Sequence, residues 1–201
     1  ARILEARGDR DAAERLYREE LSLFADNGRA RFNLAQLLRE RGDRQGYLAE
    51  LRASTDKAPE FGPAFFFLAR EELRAGRLHE ATDLAQRGLE VDRRSEIAPL
   101  GHYVLADVYR DITMSTSTPI HTGEQIYLRQ NFMDLIEKQA VNIIGPDPED
   151  IGGIAELKWV AEYADLHGIL MAPHGVFDGL FGLSAHVQVA ATLPQNYIGF
   201  E

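Results

Sequence analysis

The chain contains no cysteine among its 201 residues, which excludes disulfides and thiolate metal sites, so any metal must be held by oxygen or imidazole ligands. It also lacks an apolar run of the roughly eighteen residues that a membrane-crossing helix needs, and no charged-then-apolar leader opens it. A cytoplasmic protein without a membrane partner is the expectation. Basic charge is scarce in one half: residues 111–201 hold 3 Lys+Arg against 12 Asp+Glu, whereas residues 1–110 hold 19 against 20. The second half would repel phosphate backbones and favours a bound cation. In the first half, arginines are interleaved with acids as on solvated helix faces, so no nucleic-acid partner is expected.

What is present first is a repeat. Gly8, Gly42 and Gly76 are spaced at 34 and 34. In the same frame Phe32 returns as Phe66, and Leu34 and Ala35 as Leu68 and Ala69; after a three-residue insertion near Ile97 to Gly101 a later copy begins at Leu105 and Ala106. Small residues at fixed phases of such a period predict two helices per unit, each pair packed against the next as an α solenoid. With Leu34, Ala35, Gly42 and Pro59, then Leu68, Ala69, Gly76 and Ala81, residues 1–110 resemble tetratricopeptide repeats. Tyr47 stands where that family prefers Ala. The resemblance implies a groove for a peptide or protein partner. The segment Ala98–Arg110 also resembles repeat tails that follow hydrolases such as sulfatases. The chain opens at Ala1 inside what would be a repeat helix, so a fragment is expected at that end.

Residues 111–118, DITMSTST, read as a polar junction without helical periodicity. Beyond it, short apolar runs (PIHT, VNII, ILMA, YIGF) alternate with helical stretches, which predicts βα units and a parallel sheet of about four strands over residues 119–201. The runs lead to Glu124, Asp147, His174 and Glu201, spaced at 23, 27 and 27. In a (β/α)8 barrel, chemistry gathers at the carboxyl ends of the strands, so these four side chains would share one rim.

The stretches TPIHTGEQIYLRQNF, NIIGPDPEDIGGIAE and ILMAPHGVFDGLFGLSAHVQVAATLPQNYIGFE resemble the C-terminal half-barrel of the enolase superfamily, in its mandelate racemase branch and particularly the acid-sugar dehydratases. That resemblance implies Glu124 as one of three carboxylates binding Mg²⁺, Asp147 and His174 as a hydrogen-bonded dyad, and Glu201 as a hydrogen-bond partner of the substrate carboxylate while it becomes an enediolate. The chemistry explains the residue types. A carboxylate-stabilised carbanion needs concentrated positive charge, supplied by a hard cation on oxygen ligands, and an oriented imidazole as base.

His121 would face the site or the barrel interior and touch substrate, or else pack. Arg129, after the TGE loop, is a candidate for a substrate hydroxyl or carboxylate. His167 reads as a helix-end residue, His186 as core or interface, and Trp159 with Leu157, Val160 and Ala164 as the helix face packed on the sheet. The resemblance implies a small acid-sugar substrate and a lyase or related racemase. It also implies a site incomplete by itself, since the other metal carboxylates and the capping domain of such enzymes have no counterpart here. The alternative is a non-enzymatic protein-binding scaffold, the repeat tail of a hydrolase such as a sulfatase; a third reading has the two halves joined by gene fusion or sequence assembly.

Overall fold

The computed structural model describes residues 1, 3–4, 8–175, 179–193 and 195–199. The chain divides into two compact units, Ala1–Gly101 and His102–Glu201.

The first unit is helical: α1 (Arg10–Leu23), α2 (Gly28–Glu40), α3 (Arg44–Lys57), α4 (Gly62–Arg74) and α5 (Leu78–Asp92). Three starts are set by side-chain caps. Asp9, Asn27 and Asp43 accept from the backbone N–H groups of Ala12, Ala30 and Gly46 at 3.1, 3.0 and 2.8 Å. α2 pairs with α3 and α4 with α5 as antiparallel hairpins. The sequence period is visible in the backbone itself. Gly8, Gly42 and Gly76 adopt φ of 82°, 80° and 74°. After each glycine one N–H bonds back to the preceding helix: Asp9 to Leu4, Asp43 to Leu38 and Arg77 to Glu72, at 2.9, 2.9 and 3.0 Å. A left-handed residue is what lets that bond close, and glycine adopts it without a Cβ clash. Tyr17, Leu34, Ala35, Tyr47, Leu51 and Leu68 pack the core of this unit.

α6 (Ala98–Ser115) carries the chain into the second unit, where Ala106 and Tyr109 join its core. The structure corrects the reading of residues 111–118, because Asp111–Ser115 continue the helix. Polar side chains do not interrupt it, since they bond to carbonyls: Thr113 Oγ1 donates to Ala140 at 2.7 Å and Ser115 Oγ to Asp111 at 2.6 Å. The division at Gly101/His102 therefore lies ahead of that junction.

Three short strands follow, β1 (His121–Thr122), β2 (Ile143–Ile144) and β3 (Leu170–Met171), parallel and in the order β1-β2-β3. His121 pairs with Ile143 and Ile143 with Leu170. Between them lie a 3-10 turn (Arg129–Phe132) leading into α7 (Met133–Glu137), then α8 (Pro148–Ile151) and α9 (Ile154–Leu166); α10 (Gly179–Ala190) follows β3. Phe132, Leu135, Ile136, Ile144, Leu157, Val160 and Met171 fill the core. The expected fourth strand is reduced, among the described residues, to one parallel bridge from Met171 to Tyr197. Asn196 makes that attachment: its carbonyl accepts from Met171 N–H at 2.8 Å, and its amide donates to Ala161 and Ile169 at 3.1 and 3.0 Å. Among the described residues no helix is long and apolar enough to cross a membrane.

Candidate active site

The parallel register brings the loops after the strands to one end of the sheet. Asp147 stands just beyond β2 as the N-cap of α8, where its Oδ1 accepts the Glu149 N–H at 2.7 Å. Its other oxygen, Oδ2, lies 3.2 Å from Nδ1 of His174, beyond β3. The Asp147 side chain is 9% exposed and that of His174 25%. A carboxylate only accepts, so the hydrogen bond places the proton of a neutral His174 on Nδ1 and leaves the Nε2 lone pair outward. Nε2 lies 3.9 Å from Oε2 of Glu124, beyond β1, whose side chain is half exposed. Three side chains from three strand ends thus meet around one imidazole. Glu201 lies outside the described residues.

His121 and Arg129 are placed differently. His121 is on β1, and its Nε2 is screened from solvent; a Cβ added to Gly145 would collide with that atom. The ring therefore lies across β2, packed on Gly145. Arg129 is engaged elsewhere: Nε sits 3.2 Å from Glu156 Oε2, and its guanidinium lies 5.2 Å from the centre of the Trp159 ring. His167 forms the C-cap of α9, with Nδ1 2.9 Å from the Tyr163 carbonyl, and His186 is buried.

Sequence reasoning passed over Gly145 and Asn196. The signal for Gly145 was a glycine ending an apolar run directly before Pro146 and Asp147. Asn196 carried none that separates it from any loop asparagine.

The arrangement can hold a proton at a fixed atom. A metal is another matter: among the described residues no group of three His, Asp or Glu side chains is arranged to hold one. Glu124 alone does not complete a Mg²⁺ site, since that ion demands near-octahedral oxygen ligation.

A family model described as enolase C-terminal domain-like matches residues 99–200. The D-xylonate dehydratase of Haloferax volcanii is 41% identical over 90 residues, 45% of this chain and 22% of that protein. The D-galactonate dehydratase of Variovorax paradoxus is 34% identical over 84 residues, 42% of this chain and 22% of that protein. Among solved structures, L-talarate dehydratase from Polaromonas sp. JS666, complexed with Mg and L-glucarate, shares 26% identity, covering 50% of this chain and 25% of that one with a TM-score of 0.37. The chain spans about a fifth of the length of the curated relatives it matches.

Proposed function

The chain belongs to the enolase C-terminal domain-like family, and from that premise we propose that residues 119–201 are the catalytic half-barrel of an acid-sugar dehydratase. His174 is the base that removes the proton next to the substrate carboxylate. The observation that carries this reading is the imidazole held by Asp147 at Nδ1 with Nε2 outward toward Glu124. Nε2 takes the C2 proton of an aldonate, the C3–O bond breaks as the C2–C3 double bond forms, and the His174 imidazolium returns that proton to the departing hydroxyl, which leaves as water. The enol then gains a solvent proton at C3 and loses its hydroxyl proton to become a 2-keto acid. Asp147 orients the ring and stabilises the imidazolium that forms, a task suited to a buried carboxylate already fixed in a helix cap. Glu201 fits the role of hydrogen-bonding the substrate carboxylate as charge builds on it. His121 serves the interior beside the site, and Arg129 packs the loop after β1 against α9.

Mg²⁺, when bound by a complete ligand set, would neutralise the enediolate charge. Glu124 is the candidate ligand in this chain. The dehydratase names of these two curated relatives, at 41% identity over 90 residues and 34% over 84, support the substrate class.

The experiment is solvent exchange. The chain is combined with the remaining barrel portion and capping domain of a relative, supplied with Mg²⁺ and D-xylonate or D-galactonate in heavy water, and deuterium at C2 of the recovered substrate and at C3 of the 2-keto product is followed by NMR. Deuterium uptake that disappears in His174→Gln is the expected result. An assembled protein that incorporates no deuterium with any acid sugar overturns the reading.

The helical hairpins carry a second proposal, as tetratricopeptide-like repeats that bind a peptide or protein. The recurrent glycine turns and backbone bonds of residues 4–9, 38–43 and 72–77 support it. An affinity capture with the full chain that recovers no partner through residues 1–101 would count against it.

A further inference from the structure

Beneath the three strand-end side chains lies a layer of close backbone approach centred on Gly145. Its N–H donates to the Thr122 carbonyl at 3.0 Å, and Ala172 N–H donates to the Ile144 carbonyl at 3.0 Å. A Cβ on Gly145 would run into the His121 ring and stand 2.7 Å from the Ala172 carbonyl oxygen. A Cβ on Gly123 would in turn stand 3.0 Å from the Gly145 nitrogen. The positions are regular: Gly145 is two residues before Asp147, Ala172 two before His174, and Gly123 adjoins Glu124.

We infer that Gly145 is a positioning residue for the Asp147–His174 pair, because only a residue without a side chain lets β1, β2 and β3 approach closely enough for the dyad to close. The imidazole tip of His121 can swing aside. The Ala172 carbonyl cannot, since it is main chain, and displacing it moves the backbone two residues ahead of His174. A hydrogen bond of 3.2 Å has little slack before it is lost. Gly145 therefore acts on the base through Ala172, and His121 fills the space that the missing side chain leaves. The catalytic consequence rests on the proposed dehydratase reading, whereas the geometry does not.

The test is imidazole ¹⁵N NMR of the full chain well above neutral pH, with His174 assigned by loss of its signals in His174→Gln. Wild type is expected to show His174 protonated on Nδ1, the tautomer that Asp147 imposes. Gly145→Ala is expected to shift His174 toward the Nε2-protonated form that dominates a free histidine side chain, and His121→Ala to leave it unchanged. The double variant Gly145→Ala/His121→Ala should still lack the Nδ1-protonated pattern, because the Ala172 carbonyl is still in the way. A wild-type tautomer in Gly145→Ala, or its recovery in the double variant, overturns the inference. Should Gly145→Ala not fold, proton cross-relaxation between the His121 ring and the Gly145 α-protons in wild type decides: its presence supports the layer and its absence overturns it. A failure of substrate exchange in the assembled protein would remove the reaction and leave these tautomer results standing.

Discussion

Asp147 binds His174 with one carboxylate oxygen and caps α8 with the other, at 3.2 and 2.7 Å. The helix start and the His174 ring are thus oriented by a single side chain, and the two tasks separate on mutation. Asp147→Ala removes both and should destabilise the chain by about 2 kcal/mol, of which the cap supplies about 1 kcal/mol. Asp147→Asn keeps an acceptor for the Glu149 N–H and should recover most of the cap, while losing the negative charge beside the ring. Urea unfolding of the two variants, run beside the deuterium exchange assay, checks this: Asn should be clearly the more stable of the pair and no more active.

The repeat turns offer a test of the first unit. Gly42 and Gly76 occupy the same left-handed conformation, φ 80° and 74°, with open space where a Cβ would point. Substitution therefore meets only the backbone penalty. Gly42→Ala and Gly76→Ala should each cost about 1 kcal/mol and nearly the same amount, and Gly42→Asn less, since Asn tolerates that conformation. Thermal unfolding measures all three. Strongly unequal losses for the two alanine variants would mean that the turns are not equivalent.

Periodicity made the helical hairpins legible because glycine at a left-handed turn leaves a mark that one sequence can show three times. Three of the four expected strands were legible too, since an apolar run followed by a chemically distinctive residue recurs at about one βα unit; the fourth is a single bridge among the described residues. Asp147 and His174 meet as a pair, although a separation of 27 in sequence says nothing of distance. The continuation of α6 through residues 111–115 is not legible in sequence, because hydroxyls satisfied by carbonyls, Ser115 by Asp111 in its own helix and Thr113 by Ala140 beyond it, look like loop formers. The partners of Arg129 are not legible in sequence for a related reason. A cation beside a site-bearing loop reads as a ligand for substrate, and only coordinates show Glu156 and Trp159 engaging it.

His102 gives the chain a predictable pH dependence. It is 5% exposed, and burial lowers its pKa from the ordinary 6.5 to about 4. Between those values the unfolded chain holds the proton and the folded chain does not, so stability rises with pH across the window. The contribution is fully present above about pH 6.5 and lost as pH falls toward about 4, amounting to about 3 kcal/mol. Urea unfolding of wild type and His102→Gln at several values in that interval checks it. The variant should have the flatter profile, and parallel profiles would remove His102 from the account.

Metal affinity separates the chain from a complete enzyme. Glu124 is half exposed, and among the described residues no second and third ligand joins it. One carboxylate in water offers Mg²⁺ little in exchange for its tightly held hydration, so the chain should bind it with a Kd of about 1 mM or weaker. Titration calorimetry should show no saturable heat at lower concentrations, and a chelator should leave the unfolding temperature unchanged. Supplying the remaining barrel portion should create a saturable site that Glu124→Gln weakens by at least about tenfold, the effect expected of losing a charged ligand. Tight binding by the chain alone would require further ligands around Glu124, and Glu124→Gln in that chain would show whether this carboxylate is among them.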